Sequence, residues 1–317
     1  MKKLSLAYFG SPDFAADFLE KILLDKNLPV EVKLVITQPD QKVGRKQTLT
    51  PTPVKIIAEK YNIKSQIINN KSQINPKSQI QNFKRLEFRN SNLFGACNLE
   101  FSALRIIDLA LVYAYGDLLP KELLSLPKYG FWNIHPSLLP KYRGPSPIAT
   151  PLINGDKITG VTIIKMDEEI DHGPIIAQEN LTIKDTDYRP DLEKKLTDLG
   201  FEMFKKTVFI KDSLQLKPQN HREATFTKKL SKNDGFIEIS KLKNQISKNS
   251  KELFNLFRGL TPWPGVWTLV KINELEKRLK ITNLTMKQLN NLTVESVQLE
   301  GKTEVDFVTF NKAYKIF

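Results

Sequence analysis

Cysteine is nearly absent from this chain: 317 residues contain a single thiol, Cys97. One thiol forms no internal bridge and no cysteine-based zinc site, so a disulfide scaffold is excluded and a reducing compartment fits. Histidine is almost as scarce, with three in all. Long apolar runs are missing too. None approaches the roughly 20 residues that span a bilayer, and the Met-Lys-Lys start leads into a mixed strand pattern rather than a signal-peptide core. The expectation is a soluble, untargeted, cytoplasmic protein without a membrane partner. Three motifs are also lacking: a Gly-x-Gly-x-x-Gly turn after the first strand, a Gly-x-x-x-x-Gly-Lys-Ser/Thr phosphate loop and a Gly-x-Ser-x-Gly elbow. Hydride transfer, nucleotide hydrolysis and serine hydrolysis therefore lose their usual signatures.

What is present suits a folded protein of about two domains. Hydrophobic residues make up 40% and charged residues 26%, an ordinary globular mix that builds a core without a metal or disulfide staple. The formal charge is +13, and from Lys211 to Phe317 there are 19 basic against 11 acidic residues, so the excess leans C-terminal. Such a balance favours a polyanion such as nucleic acid; read from charge alone, solubility in a lysine-rich composition fits equally.

Along the chain, Leu4 to Phe9 reads as a buried strand, Gly10-Ser11-Pro12-Asp13 as a turn and Phe14 to Leu24 as a helix. Val30 to Thr37 and Ile106 to Ala114 read as strands, Thr52 to Tyr61 and Lys121 to Leu126 as helices. The alternation predicts a Rossmann-like, doubly wound α/β sheet with mostly parallel strands. Gly160 to Met166 and Pro174 to Ile183 read as paired strands, and Arg189 to Ile210 as an amphipathic helix. Polar repeats between Lys64 and Phe101 bury too little to offset their ordering entropy, which predicts an insertion at about 64–101. A linker is expected at 206–225, starting its most polar stretch at Lys217-Pro218-Gln219-Asn220. After it, 226–317 holds a helix from Ser250 to Leu260, then short strand-like runs to Phe317, as in a small OB-like β-barrel.

One constellation carries chemistry. His135 ends an apolar strand and precedes the proline-rich Pro136-Ser137-Leu138-Leu139-Pro140-Lys141-Tyr142-Arg143-Gly144-Pro145. In open α/β sheets ligands bind beyond the carboxyl ends of strands, where such a loop lies. Asn133 and His135 alternate on one strand and so share a face. An amide donor and an imidazole on one face suit a carbonyl oxygen that gains charge when attacked; a capping asparagine and a structural histidine are the bland alternative. Asp171, in Met166-Asp167-Glu168-Glu169-Ile170-Asp171-His172-Gly173-Pro174, lies in a sharp turn and is the carboxylate expected to orient the imidazole. Asp167, Glu168 and Glu169 read as a solvated acidic turn, and the turn position of His172 implies exposure.

With its order and spacing, Asn133-x-His135, then Ser137-Leu138-Leu139-Pro140, then Asp171-His172-Gly173 resembles the signature of the folate-dependent formyltransferases. Further segments extend the resemblance to nearly the whole chain outside the insertion: Phe9 to Ala15, Thr37 to Asp40, Gly44-Arg45, Thr52 to Lys55, Lys229 to Lys232 and Pro262-Trp263-Pro264-Gly265. The resemblance implies a catalytic domain at 1–205 and a C-terminal tRNA-binding β-barrel at 226–317. It implies formyl transfer from 10-formyltetrahydrofolate to the α-amino group of methionine on initiator tRNA, with Asn133, His135 and Asp171 as catalytic residues. Ser137, Leu138, Leu139 and Pro140 would line the folate site, with backbone near Tyr115, Gly116 and Ile170 on the pterin. Lys42, Arg45 and Lys46 would reach the acceptor end of the tRNA. No metal is implied, and the family suggests a monomer. A small amine as acceptor (a nucleotide sugar or glycinamide ribonucleotide), deformylation by water, and a catalytically silent tRNA-binding protein are the alternatives. His172 is a departure, since the tRNA enzymes often carry a small residue or threonine there.

Overall fold

In the computed structural model, residues 3–44, 47–67, 103–287 and 291–317 are described. They form two compact units: the described residues within 1–135 with 162–179 and 197–222 in the first, and 136–161 and 180–196 with the described residues within 223–317 in the second.

Continuous apolar runs make the central strands of the first unit. Strands β1 (Leu4–Gly10), β2 (Val30–Thr37) and β6 (Leu109–Tyr113) are mostly or wholly buried, as expected for parallel strands covered on both faces. Helix α1 (Asp13–Leu24) buries Ala15, Phe18, Leu19 and Ile22 at helical spacing. Helix α2 (Pro53–Lys60) starts with a proline in its first turn, and the Thr52 hydroxyl accepts from the Lys55 amide at 3.2 Å as its cap. With β5 (Ser65–Ile67), β7 (Phe131–His135), β8 (Ile158–Lys165) and β9 (Ile175–Thr182), the sheet order is β5-β2-β1-β6-β7-β8-β9.

Pairing is parallel from β5 through β7 and turns antiparallel at β7–β8. The chain leaves β1 toward β2 on one side and returns as β6 on the other, so a topological switch point falls between β1 and β6. Gly10 is required there: a Cβ on it would lie 2.9 Å from the Tyr113 carbonyl oxygen. The insertion expected from residue 64 contributes β5 at its start, and 68–102 lie outside the described residues. The loop Asp40 to Thr52, expected as a basic surface loop, carries a small antiparallel pair, β3 (Gln41–Val43) and β4 (Thr48–Thr50).

The second unit is built on a four-stranded antiparallel sheet of β10 (Val266–Ile272), β11 (Leu275–Lys287), β12 (Asn291–Leu299) and β13 (Glu304–Asp306), in that order. Asn273 and Glu274 both have positive φ and close the β10–β11 hairpin with two residues, the backbone that matches strand twist. Val270, Leu279, Ile281, Val297 and Leu299 pack with Leu253, Phe254 and Phe257 in its core. The strand-like reading to Phe317 fails at the end: Phe307–Tyr314 is a helix. Its apolar residues Phe307, Phe310 and Tyr314 follow helical rather than alternating spacing, and the Asp306 carboxylate accepts from the Thr309 amide at 2.8 Å as its cap.

Arg258, on the helix Lys251–Leu260, is buried in this unit. Its guanidinium donates to the carbonyls of Lys184 and Asp187, each at 3.0 Å, and to Asn255 Oδ1 at 2.9 Å. Burial pulls its pKa below the usual arginine value, while Asp185 and Asp187 oppose that shift. Arg258→Met would strand these buried carbonyls. Denaturant unfolding should show a loss of roughly 3 kcal/mol, against well under 1 kcal/mol for the exposed Lys302→Met.

Candidate active site

Period-two alternation on β7 sets Asn133 and His135 on one face. Asn133 pairs in register with Val112 of β6 and Ile164 of β8, and His135 with Thr162. The strand is thus held on both sides, with His135 at its carboxyl end. The third member comes from the loop between β8 and β9. Asn133 Nδ2 donates to Asp171 Oδ1 at 3.1 Å, and His135 Nδ1 lies 3.4 Å from the same oxygen. The side chains of His135 and Asp171 are only 5% and 11% exposed, so both polar groups depend on protein partners rather than on bulk water.

Asp171 has φ +50°, in the left-handed region. For a non-glycine residue this costs roughly 1–2 kcal/mol, least for Asp and Asn. Two features hold the turn. Gly173 packs so tightly that a Cβ on it would meet the Lys165 carbonyl oxygen at 1.9 Å. Gln219 donates from Nε2 to the carbonyls of Asp171 at 2.9 Å and Gly173 at 2.7 Å. Gln219 is 6% exposed, although its setting in a polar Lys-Pro-Gln-Asn stretch reads as linker. No local signal marked it; only the fold places 217–221 beside the loop.

His172 is not a solvent-facing turn residue. Its Nδ1 is 2.7 Å from Asp167 Oδ2 and its ring stacks on His221, with centroids 3.9 Å apart and planes at 8°. The expected acidic turn is therefore partly used: Asp167 binds His172, and Glu168 pairs with Lys121.

The other expected site residues are spread over both units. Tyr115 is buried, and Gly116 has φ +89°, with Gln38 Nε2 2.9 Å from where a Cβ would stand. Both follow β6 at the switch point, where the Ser11 hydroxyl donates to the Tyr115 carbonyl at 3.3 Å. Ile170, beside Asp171, is 52% exposed. Ser137, Leu138, Leu139 and Pro140 belong to the second unit. There Ser137 Oγ donates to the Lys141 carbonyl at 2.7 Å, Leu139 is buried and the Leu139–Pro140 peptide is cis. Of the three basic loop residues, Lys42 is exposed on β3, and Arg45 and Lys46 lie outside the described residues. Among the described residues no group of three or more metal-ligating side chains comes together, and no helix is long and apolar enough to cross a membrane.

A mostly parallel α/β sheet with an amide, an imidazole and a carboxylate gathered near a strand's carboxyl end has the polar cluster where enzymes of this fold class bind their ligands. The sequence profile of the formyl transferase family matches residues 2–208. The chain belongs to that family and is a formyltransferase. It is 36% identical to the methionyl-tRNA formyltransferase of Caldicellulosiruptor saccharolyticus, over 93% of this chain and 83% of that protein. It is 32% identical to the methionyl-tRNA formyltransferase of Staphylococcus aureus, over 96% of this chain and 87% of that one. A similar fold occurs in the crystal structure of a 4-N formyltransferase from Francisella tularensis, with TM-score 0.59, 19% identity and coverage of 87% of this chain and 96% of that one.

Gly173→Ala should force the Lys165 carbonyl and the Asp171 turn apart. We expect formyl transfer to fall by about 100-fold, the scale of a 1 Å misplacement, while the circular dichroism spectrum of the sheet is retained. A rate within a factor of about 2 of the parent would mean that the turn tolerates the shift.

Proposed function

We propose that the chain transfers the formyl group of 10-formyltetrahydrofolate to the α-amino group of methionine on initiator tRNA. The observation that carries the reading is the convergence of Asn133, His135 and Asp171 at 3.1 and 3.4 Å. It occurs in a chain that aligns along nearly its full length with relatives named for methionyl-tRNA. Folate supplies the formyl group as an amide on nitrogen. The donor set suits that carbonyl: an amide N–H and an imidazole N–H, with a carboxylate behind the ring.

The chemistry then follows from the residues. As the amine nitrogen bonds to the formyl carbon, the carbonyl electron pair moves onto oxygen. One N–H of Asn133 is directed to Asp171, and its second N–H is the donor assigned to the developing oxyanion. With its ring protonated, His135 keeps Nδ1–H toward Asp171 and offers Nε2–H as the second donor. Collapse expels the folate nitrogen, which needs a proton as the attacking nitrogen loses one. His135 with Asp171 carries that exchange as general acid and base.

Backbone near Tyr115, Gly116 and Ile170, together with Ser137 to Pro140, is assigned to folate. The exposed Ile170 supports the assignment, since it leaves apolar surface beside Asp171. Lys42, Arg45 and Lys46 are assigned to the acceptor end of the tRNA, where cations suit phosphate. The antiparallel-sheet unit, in the chain's most basic third, is assigned to the tRNA backbone. On this reading the enzyme acts as a monomer in the cytoplasm.

The test is transfer of labelled formyl from 10-formyltetrahydrofolate to methionyl-tRNA by the full chain. His135→Ala and Asp171→Asn should each lower the rate by about 100- to 10,000-fold with the fold retained. Formylation of a nucleotide sugar or glycinamide ribonucleotide in place of the tRNA, or release of formate to water alone, would overturn the assignment. Arg45→Ala should raise KM for the tRNA by about 10-fold and leave KM for folate within about 2-fold. Equal losses in both would remove the loop from tRNA recognition.

A further inference from the structure

We propose that Gln219 is a positioning residue: by hydrogen-bonding two carbonyls of the Asp171 turn, it holds the aspartate in the backbone conformation that aims its carboxylate at His135. Its part in turnover rests on the reading above; its part in holding the turn does not.

The geometry is specific to an amide. A primary amide nitrogen carries two N–H bonds, and Nε2 of Gln219 reaches two acceptors, the carbonyls of Asp171 at 2.9 Å and Gly173 at 2.7 Å. These oxygens flank His172, so one side chain bridges the turn on both sides of its apex. A glutamate would set carboxylate oxygens against carbonyl oxygens, and a methionine would fill the space with no donor. Burial makes either loss costly, because a carbonyl stripped of its donor has little water to replace it.

The backbone around Gln219 places it there. Ile175 and Lys217 exchange reciprocal backbone bonds, at 2.8 and 2.9 Å, as an antiparallel bridge. Stepping two residues along each antiparallel segment brings Gln219 against Gly173. Farther on, the His221 ring stacks on His172. The segment 217–221 therefore straps the turn at three successive points. Gln219 supplies the point that bears on Asp171, whose positive φ would otherwise relax toward ordinary backbone.

The decisive measurement is the NMR titration of the His135 ring in the full chain, free of substrates, for the parent, Asp171→Asn and Gln219→Met. Its midpoint should shift in Gln219→Met in the same direction as in Asp171→Asn and by at least about half as much. A Gln219→Met titration that overlays the parent while Asp171→Asn moves would overturn the proposal. In the transfer assay, kcat should fall by about 10- to 100-fold with KM for both substrates within about 2-fold. The double variant Asp171→Asn/Gln219→Met should be no slower than Asp171→Asn; fully multiplicative losses would overturn the proposal. If Gln219→Met does not fold, the smaller neutral Gln219→Ala takes its place in both measurements, with the same outcomes deciding. If the parent formylates no amine, the proposed function fails, and the His135 titration still decides the role of Gln219.

Discussion

Asp171 Oδ1 accepts from Asn133, lies 3.4 Å from His135 Nδ1, and belongs to a residue whose own backbone is in the left-handed region. The rest of the site depends on that arrangement. β7 supplies two side chains on one face almost for nothing, since any extended strand does so. The carboxylate has no such local guarantee. It sits 38 residues farther along the chain and reaches the strand only because the β8–β9 loop turns sharply at Asp171. Gly173 allows that turn to press against the Lys165 carbonyl, and Gln219 ties it down from the other side.

Burial gives the arrangement its consequence. A carboxylate and an imidazole this far out of water are costly unless each has a partner, and removing one partner strands the other. The Asn133 amide satisfies part of the need at Oδ1 and is itself oriented by doing so. The same bond fixes the orientation of the amide, since one of its two N–H bonds is directed to Asp171. Gln219 adds to the same economy of buried polar groups by satisfying two carbonyls of the turn that carries Asp171.

The second unit is organised by different physics. Its core is an antiparallel sheet covered by helices, and its polar centre is Arg258, whose fork gathers several carbonyls and the Asn255 side chain. Nothing in that network resembles a reaction centre. It is a structural anchor, and Gly259 beside it lets the helix Lys251–Leu260 approach the helix Ala149–Asn154, since a Cβ there would meet Ile153 Cγ1 at 2.5 Å. The C-terminal third carries much of the positive excess, while the first unit holds the Asp171–His135–Asn133 cluster.

Periodicity determined a good deal by itself. The apolar runs at β1 and β6 dictate buried parallel strands, the alternation on β7 dictates that Asn133 and His135 share a face, and the absence of phosphate and nucleophile motifs removes whole reaction classes. Local pattern misled where a residue's neighbours in sequence were not its neighbours in space. Gln219 read as linker, His172 as an exposed turn residue and Phe307–Tyr314 as strand, yet each is settled by what packs against it: two carbonyls, a second imidazole and a hydrophobic core. Tertiary structure alone decided the left-handed backbone of Asp171 and its meeting with the β7 pair. Side-chain periodicity is a property of neighbouring residues, whereas convergence across 38 residues and again across 48 depends on strand order and loop closure, which no short window of sequence encodes.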